Sequence, residues 1–132
     1  MEANDSQPKT ILLVDDNPDI QTVISISLEH FGYSVACASS GKEALSAYSA
    51  CQPQIAIIDY RLPDTNGIVV GKQIRQQEKG SQRMKMILFS GSDDREVRQQ
   101  ADAAGFDAYI AKPIRINKLR EQLQSLESGR PI

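Results

Sequence analysis

The sequence predicts an α/β fold built on a doubly wound, five-stranded parallel sheet, and three observations carry that expectation. Short, continuously apolar runs recur along the chain: Ile11-Leu12-Leu13-Val14, Ile55-Ala56-Ile57-Ile58, Met86-Ile87-Leu88-Phe89 and Tyr109-Ile110-Ala111. Runs of this kind read as strands buried on both faces, as parallel strands are. Between them lie segments of helical periodicity, so that strand and helix alternate, which predicts a sheet covered on both sides. Finally, each run ends at or just before a polar residue: the pair Asp15-Asp16, then Asp59, Ser90 and Lys112. In open α/β sheets the ligand site lies beyond the carboxyl ends of the strands, so these side chains are expected on one rim.

The elements follow in order. Residues 1–9 are polar, include Pro8 and lack periodicity, as in a flexible arm; residues 10–127 form the domain. After the first strand, Asn17 is placed to cap a helix that has Pro18 at its first position. Ile20, Val23, Ile24, Leu28 and Phe31 form its inward stripe, and Gly32 stops it. Tyr33 to Ala38 alternates as a second strand. Ser40 and Glu43 have capping-box spacing and open a second helix, with Ala44, Leu45, Ala47, Tyr48 and Cys51 inward and Pro53 beyond its end. The third strand ends at Asp59, and a loop through Pro63 leads to Asn66-Gly67 and a third helix with Ile68, Gly71 and Ile74 inward. Gln76 to Arg83, with Gly80, is a polar loop.

The fourth strand ends at Ser90. Asp93 and Glu96 repeat the capping-box spacing before a weakly amphipathic helix, Asp94 to Ala104, whose apolar residues are mainly Val97, Ala101 and Ala104. A helix that buries so little is expected to be loosely held. Gly105 ends it, and Phe106 to Ala111 is the fifth strand. Ile116, Leu119, Leu123 and Leu126 make the inward stripe of the last helix. The tail, 128–132, is expected to be non-helical and flexible.

Composition limits the function classes. At 132 residues the chain suits one domain with a real core. No apolar run is long enough to span a membrane, and no basic segment followed by an apolar one opens the chain as a secretion signal would. A net charge of −2 gives no general pull toward nucleic acid. Cys37 and Cys51 read as reduced thiols of a cytoplasmic protein, and two cysteines with one histidine make a poor zinc set. His30 reads as a solvated residue near a helix carboxyl terminus, where the dipole favours a cation.

The rim residues suggest chemistry. Three close carboxylates raise one another's pKa unless a cation neutralises them. An all-oxygen acidic cluster suits Mg²⁺, which takes few carboxylates and fills its other positions with water and phosphate oxygens. A hydroxyl and an ammonium beside them complete a metal-assisted phosphoryl site.

The segments Leu13-Val14-Asp15-Asp16-Asn17-Pro18, Ile57-Ile58-Asp59-Tyr60-Arg61-Leu62-Pro63-Asp64-Thr65-Asn66-Gly67, Phe89-Ser90-Gly91 and Ala111-Lys112-Pro113 resemble the receiver domain of two-component response regulators, from about Thr10 to about Leu126. The resemblance implies a flavodoxin-like (βα)5 sheet with strand order 2-1-3-4-5. It implies that Asp59 accepts a phosphoryl group from a histidine kinase or a histidine phosphotransfer domain. Mg²⁺ would be held by Asp16 and Asp59 directly, by Asp15 through water, and by the backbone carbonyl of Arg61. Ser90 and Lys112 would each contact a phosphoryl oxygen, with Ser standing where Thr is commoner. Ser90 and Tyr109 would form the switch, Tyr109 being expected on the same strand face as Lys112, and the Lys112-Pro113 bond would be cis. Arg61 and Ser92 would flank the phosphoryl group. The fourth helix, fifth strand and fifth helix would then present an altered surface to a downstream protein, and a phosphorylation-dependent homodimer is compatible with this. No direct nucleic-acid binding and no membrane insertion are expected, and turnover is limited to self-catalysed phosphoryl acceptance and dephosphorylation.

Two other readings compete, and one choice stays open within the receiver reading. An aspartate-nucleophile phosphohydrolase would carry its nucleophile after the first strand with a second Asp two residues on, whereas here the pair is adjacent. A flavodoxin-like cofactor binder would need a Gly-, Ser- or Thr-rich loop where acidic Asp15-Asp16-Asn17-Pro18 stands. A free-standing regulator and a receiver excised from a hybrid histidine kinase or larger regulator both stay open: the initial Met favours the first, while the linker-like Asn4 to Lys9 and the bare tail fit the second.

Overall fold

The apolar runs assemble as the central layer of a three-layer sandwich, seen in a computed structural model that describes residues 9–78, 83–91 and 95–128. The elements run β1 (Thr10–Val14), α1 (Pro18–His30), β2 (Ser34–Ala38), α2 (Gly41–Cys51), β3 (Ile55–Asp59), α3 (Gly67–Gln77), β4 (Lys85–Ser90), α4 (Arg95–Ala103), β5 (Ala108–Ala111) and α5 (Ile116–Ser128). The five strands are parallel in the order β2-β1-β3-β4-β5. The order reverses direction at β1, so a crevice opens between the carboxyl ends of β1 and β3, the place where such sheets bind ligands.

Strand alternation sorts the core into two halves. Leu12, Val14, Ala56, Ile58, Met86 and Leu88 face α2, α3 and α4, meeting Ala44, Val70, Ile74, Val97 and Ala101. Ile11, Leu13, Ile55, Ile57, Ile87 and Phe89 face α1 and α5, meeting Ile24, Leu28, Leu119, Leu123 and Leu126. β1, β3 and β4 are covered from both sides, which is why their sequences are unbroken apolar runs rather than alternations.

Local chemistry fixes the helix starts. Asn17 Oδ1 accepts from the N–H groups of Asp19 and Ile20, with Pro18 first in the helix. Ser40 Oγ accepts from Glu43 N–H, and Asn66 Oδ1 from Val69 N–H. Gly32 and Gly105 take positive φ, at 101° and 94°, in the turns that follow α1 and α4.

Several expectations are corrected. Val23 is 57 % exposed, because the inward stripe of α1 runs through Ile20, Ile24, Leu28 and Phe31, and Val23 sits about a quarter turn off it. Cys51 is exposed at the end of α2, where buried Pro53 closes the core instead, and Cys37 is exposed as well. Ile116 is half-buried. β2 begins at Ser34, and β5 only at Ala108. Ahead of β5, the Asp107 carboxylate accepts the Met86 N–H and so takes the place of a ladder bond. α5 continues through Ser128, one residue into the expected tail. The arm over residues 1–8, Gly80, Ser92, the Asp93 cap, Asp94 and residues 129–132 lie outside the described residues. No helix among the described residues is long and apolar enough to cross a membrane.

Candidate functional site

The crevice at the carboxyl ends of β1 and β3 is an open cleft of about 340 Å³, and Asp15, Asp16, Asp59, Arg61 and Lys112 all line it. A larger hollow of about 890 Å³ lies at the opposite, amino-terminal end of the sheet, lined by residues such as Tyr48, Pro53, Glu78 and Arg83, and contains none of the predicted residues. The smaller cleft is where the chemistry is concentrated.

β1 ends at Val14, and Asp15 continues the strand far enough for its N–H to donate to Ala38 O across β2 at 3.0 Å. Its side chain is therefore carried fully inside. Asp15 Oδ1 accepts the Asn17 N–H at 2.8 Å. The next residue, Asp16, points outward and is exposed. Since Asn17 caps α1, the Asp16 carboxylate is not consumed by capping. Asp59 ends β3, is 4 % exposed, and accepts the Arg61 N–H on Oδ1 at 3.3 Å. One carboxylate oxygen from each of Asp15, Asp16 and Asp59 lies within 4.8 Å of the others.

Lys112 reaches in from the end of β5. Its Nζ donates to Asp59 Oδ2 at 3.1 Å and stands 3.8 Å from Asp15 Oδ2, over the Phe89 ring. The Lys112-Pro113 bond is cis, as the resemblance implied. Ser90 closes β4 and is 4 % exposed, one position past the pairing of Phe89 with Asp59, and its carbonyl accepts the Lys112 N–H at 2.7 Å. The backbone thus ties Ser90 to Lys112 directly.

Burial pushes both Asp15 and Asp59 above the ordinary carboxylate range. For Asp15 the Asn17 N–H opposes this, the Asp59 charge reinforces it, and Lys112 offers a weaker counterweight. For Asp59 the hydrogen bond and charge of Lys112 oppose it most, followed by the Arg61 N–H. One ammonium among three carboxylates leaves the cluster net negative. Asp15 Oδ2 is buried without a hydrogen-bond partner, since Lys112 is beyond bonding distance. An anionic oxygen in that condition is costly unless a cation compensates it. The all-oxygen donor set and its orphaned atom fit a hard divalent cation such as Mg²⁺.

Tyr109 stands differently from its expectation. It lies three residues before Lys112, not two, so strand alternation puts the two on opposite faces. Tyr109 is half-buried against the α2-α3-α4 core with Arg98 5.1 Å over its ring. Lys112 caps Phe89 on the other side. His30 is exposed at the end of α1, with Phe31 beside it.

Two supporting residues escaped the sequence reading. Gln21 Nε2 donates to Asp15 O, and also to Ala38 O and Ser39 Oγ at 3.2 and 3.1 Å. Asp64 accepts backbone N–H groups at the start of α2. In sequence, Gln21 is one polar residue on a helix and Asp64 one turn residue after Pro63; only the folded chain brings them to the site.

Comparison with known proteins places this geometry. The family described as the response regulator receiver domain matches residues 11–124. The alkaline phosphatase synthesis transcriptional regulatory protein PhoP of Bacillus subtilis is 31 % identical over 89 % of this chain and 48 % of its own length. The sensor histidine kinase AtsR of Burkholderia thailandensis is 31 % identical over 89 % of this chain and 19 % of its own. This chain therefore spans about half the length of the transcriptional regulator and about a fifth of the kinase. A solved CheY-like receiver domain from Methanospirillum hungatei superposes with a TM-score of 0.86 at 30 % identity, covering 93 % of this chain and 96 % of that one.

Proposed function

The chain belongs to the response regulator receiver family, and on that premise we propose that Asp59 accepts a phosphoryl group from a phosphohistidine on a histidine kinase or histidine phosphotransfer domain. One observation carries the assignment to Asp59. Of the three clustered carboxylates it is the one that both ends a strand at the crevice and bonds the Lys112 ammonium. An Asp59 oxygen attacks phosphorus, the P–N bond breaks, and the imidazole nitrogen leaves with the electron pair. The product is an acyl phosphate. Such a transfer depends on positioning and charge neutralisation more than on proton transfer.

Asp16, Asp59 and the Arg61 carbonyl would hold Mg²⁺, with Asp15 acting through water. When bound, the ion would neutralise charge on the carboxylates and the phosphoryl oxygens. Lys112 would move from the Asp59 carboxylate toward a phosphoryl oxygen, and the Ser90 hydroxyl would bind another. The incoming charge of about −1.5 to −2 would bias a two-state equilibrium through these two residues. Because Tyr109 lies on the opposite face of β5 from Lys112, its exposure would report on that equilibrium indirectly, through the α4 packing. A hollow of about 260 Å³ among α4, β5 and α5, lined by Arg98, Asp102, Tyr109 and Gln122 among others, supports this face as the surface read by a downstream protein or a second copy. The protein would act in the cytoplasm, where kinases of this kind present their phosphohistidine, and would turn over no substrate besides its own phosphoryl group.

Incubation with a small phosphodonor and Mg²⁺ should add one hydroxylamine-labile phosphoryl group, and Asp59→Asn should take up none. Modification at Ser90 or His30 instead would overturn the proposal.

A further inference from the structure

The loop after β3 carries the Arg61 carbonyl; Tyr60 and Leu62 pack partly against the core, while Arg61, Pro63 and Asp64 are exposed. It closes on itself through Leu62 N–H to Thr65 O at 3.3 Å and through a bridge pairing of Arg61 with Asn66. Its outward anchor is Asp64. Oδ1 accepts the Gly41 N–H at 2.8 Å and Oδ2 accepts the Lys42 N–H at 3.0 Å. Both donors belong to the first turn of α2, where N–H groups lack intrahelical partners and the helix dipole favours an anion. The approach is close: a Cβ on Gly41 would lie 2.5 Å from Thr65 Cγ2 and 3.1 Å from Val70 Cγ2. A side chain at position 41 would require the Thr65 methyl to move aside.

The same helix end also reaches the other acidic loop. Ser39 Oγ and Ala38 O accept from Gln21 Nε2, which in turn donates to the Asp15 carbonyl. Asp15 N–H returns to Ala38 O. Residues 38–42 therefore form a fixed post with one acidic loop fastened to each side. Ser40 Oγ serves the Glu43 N–H and Glu43 reaches back to the Ser39 N–H, and Asp64 adds the Gly41 and Lys42 N–H groups that this pair leaves open. Because Asp64 comes from the loop 23 residues on, this bidentate bond ties the loop to α2 as well as capping it.

We propose that Asp64 is a positioning residue for the metal site, holding the Arg61 loop against the amino-terminal turn of α2 so that its carbonyl stays at a fixed distance from Asp16 and Asp59. The inference rests on the proposed Mg²⁺ site at those residues. Loss of the anchor leaves the three carboxylates in place and loosens the Arg61 carbonyl.

The test is a MgCl₂ titration of wild type, Asp64→Ala, Asp64→Asn and Ser40→Ala, followed by backbone amide shifts at Asp15, Asp16 and Asp59–Arg61, with urea unfolding and amide exchange measured on the same proteins. Asp64→Ala should weaken Mg²⁺ binding at least fivefold and speed exchange at residues 60–66. Asp64→Asn keeps one acceptor and should fall between it and wild type. Ser40→Ala, which removes a cap without touching the loop, should lower stability and leave the Mg²⁺ Kd within twofold of wild type. An Asp64→Ala protein that loses stability but keeps its Mg²⁺ Kd would show a helix cap and nothing more, overturning the inference. A wild type whose amides do not respond to Mg²⁺ at all would instead remove the metal site on which it rests.

Discussion

Asp15→Asn should make the metal-free protein more stable, although it alters a fully buried residue in the middle of the site. At an effective dielectric of about 20, a unit charge pair at the 3.8 Å separating Asp15 from Lys112 is worth about 4 kcal/mol, and one at 4.8 Å, the outer limit for the clustered carboxylates, about 3.5 kcal/mol. Attraction to Lys112 is thus nearly cancelled by repulsion from Asp59, and exposed Asp16 adds a weaker, water-screened repulsion. What remains is the desolvation of the carboxylate, and it acts against folding. Asn keeps an acceptor for the Asn17 N–H, removes the charge, and leaves Lys112 wholly to Asp59. The expected gain is about 1–3 kcal/mol where Asp15 is charged, comparable with the gain of about 1–4 kcal/mol that replacing a buried ion pair by well-packed apolar residues can bring. The pH dependence follows from the direction of the shift. Asp15 titrates above its ordinary value in the folded protein, so between those two values the native state binds a proton that the unfolded chain does not, and stability falls as pH rises. The gap between variant and wild type should be full above the raised value and close as pH drops through it. Mg²⁺ narrows the gap by stabilising wild type, by about 1.4 kcal/mol at ten times its Kd, and the variant less. Urea unfolding in EDTA and in MgCl₂, at several pH values, measures all of this. A variant less stable than wild type in EDTA at pH 7, or a gap indifferent to pH, would refute the reasoning.

Asp16→Ala should fold normally and lose Mg²⁺-dependent phosphorylation; normal uptake of a phosphoryl group in Mg²⁺ would remove Asp16 from the ligand set. Lys112→Ala should still accept some phosphoryl group but fail to pass it on, so that a phosphoryl mimic shifts the amides of Tyr109 and α4 in wild type and not in the variant. Equal shifts in both would leave the coupling to Ser90. Gly71→Ala should destabilise the fold by up to about 2 kcal/mol, because overpacking of about 1–3 kcal/mol is set against a helix-propensity gain of about 1 kcal/mol; the new Cβ would meet the buried Phe106 ring at Cε1 and Cζ. Thermal unfolding checks the sign, and a stabilised variant would mean the Phe106 ring yields freely.

The parts of this molecule legible in its sequence are those written by burial along a single strand or helix. β1, β3 and β4 are apolar without interruption because both faces are covered, and the residues that end them are conspicuous for breaking the run. Asn17-Pro18 and Ser40 announced their helix starts because capping is a local interaction. Val23 was misplaced because a five-residue apolar set on a thirteen-residue helix is wider than the stripe the sheet can cover, and periodicity alone does not say which edge stays in water. The start of β5 was misjudged because Asp107 uses its side chain to imitate a ladder bond, which no propensity encodes. Gln21 and Asp64 were invisible for a related reason: each bonds to backbone, and a backbone partner leaves no mark on the sequence of the element that supplies it.

That distinction bears on how the site could switch. The groups legible from sequence are charged and close together, and in the metal-free protein they are poorly satisfied: two buried carboxylates titrate high, one oxygen has no hydrogen-bond partner, and a single ammonium serves two acids. The illegible supports, Gln21, Asp64 and the Lys112 N–H on Ser90 O, are fully made. A site with strained charges on a firm backbone is suited to answer a change of charge by moving side chains, chiefly the Lys112 ammonium. That ammonium bonds an Asp59 carboxylate oxygen, so on the proposed mechanism phosphorylation of Asp59 would alter this contact. Because the Lys112 N–H is bonded to Ser90 O, such a change would be felt at the ends of β4 and β5 together on the proposed mechanism. On the proposed mechanism, coupling to the α4 face requires the side chain of Lys112 but is transmitted by its N–H, and the two contributions separate experimentally: Lys112→Ala removes the first and keeps the second.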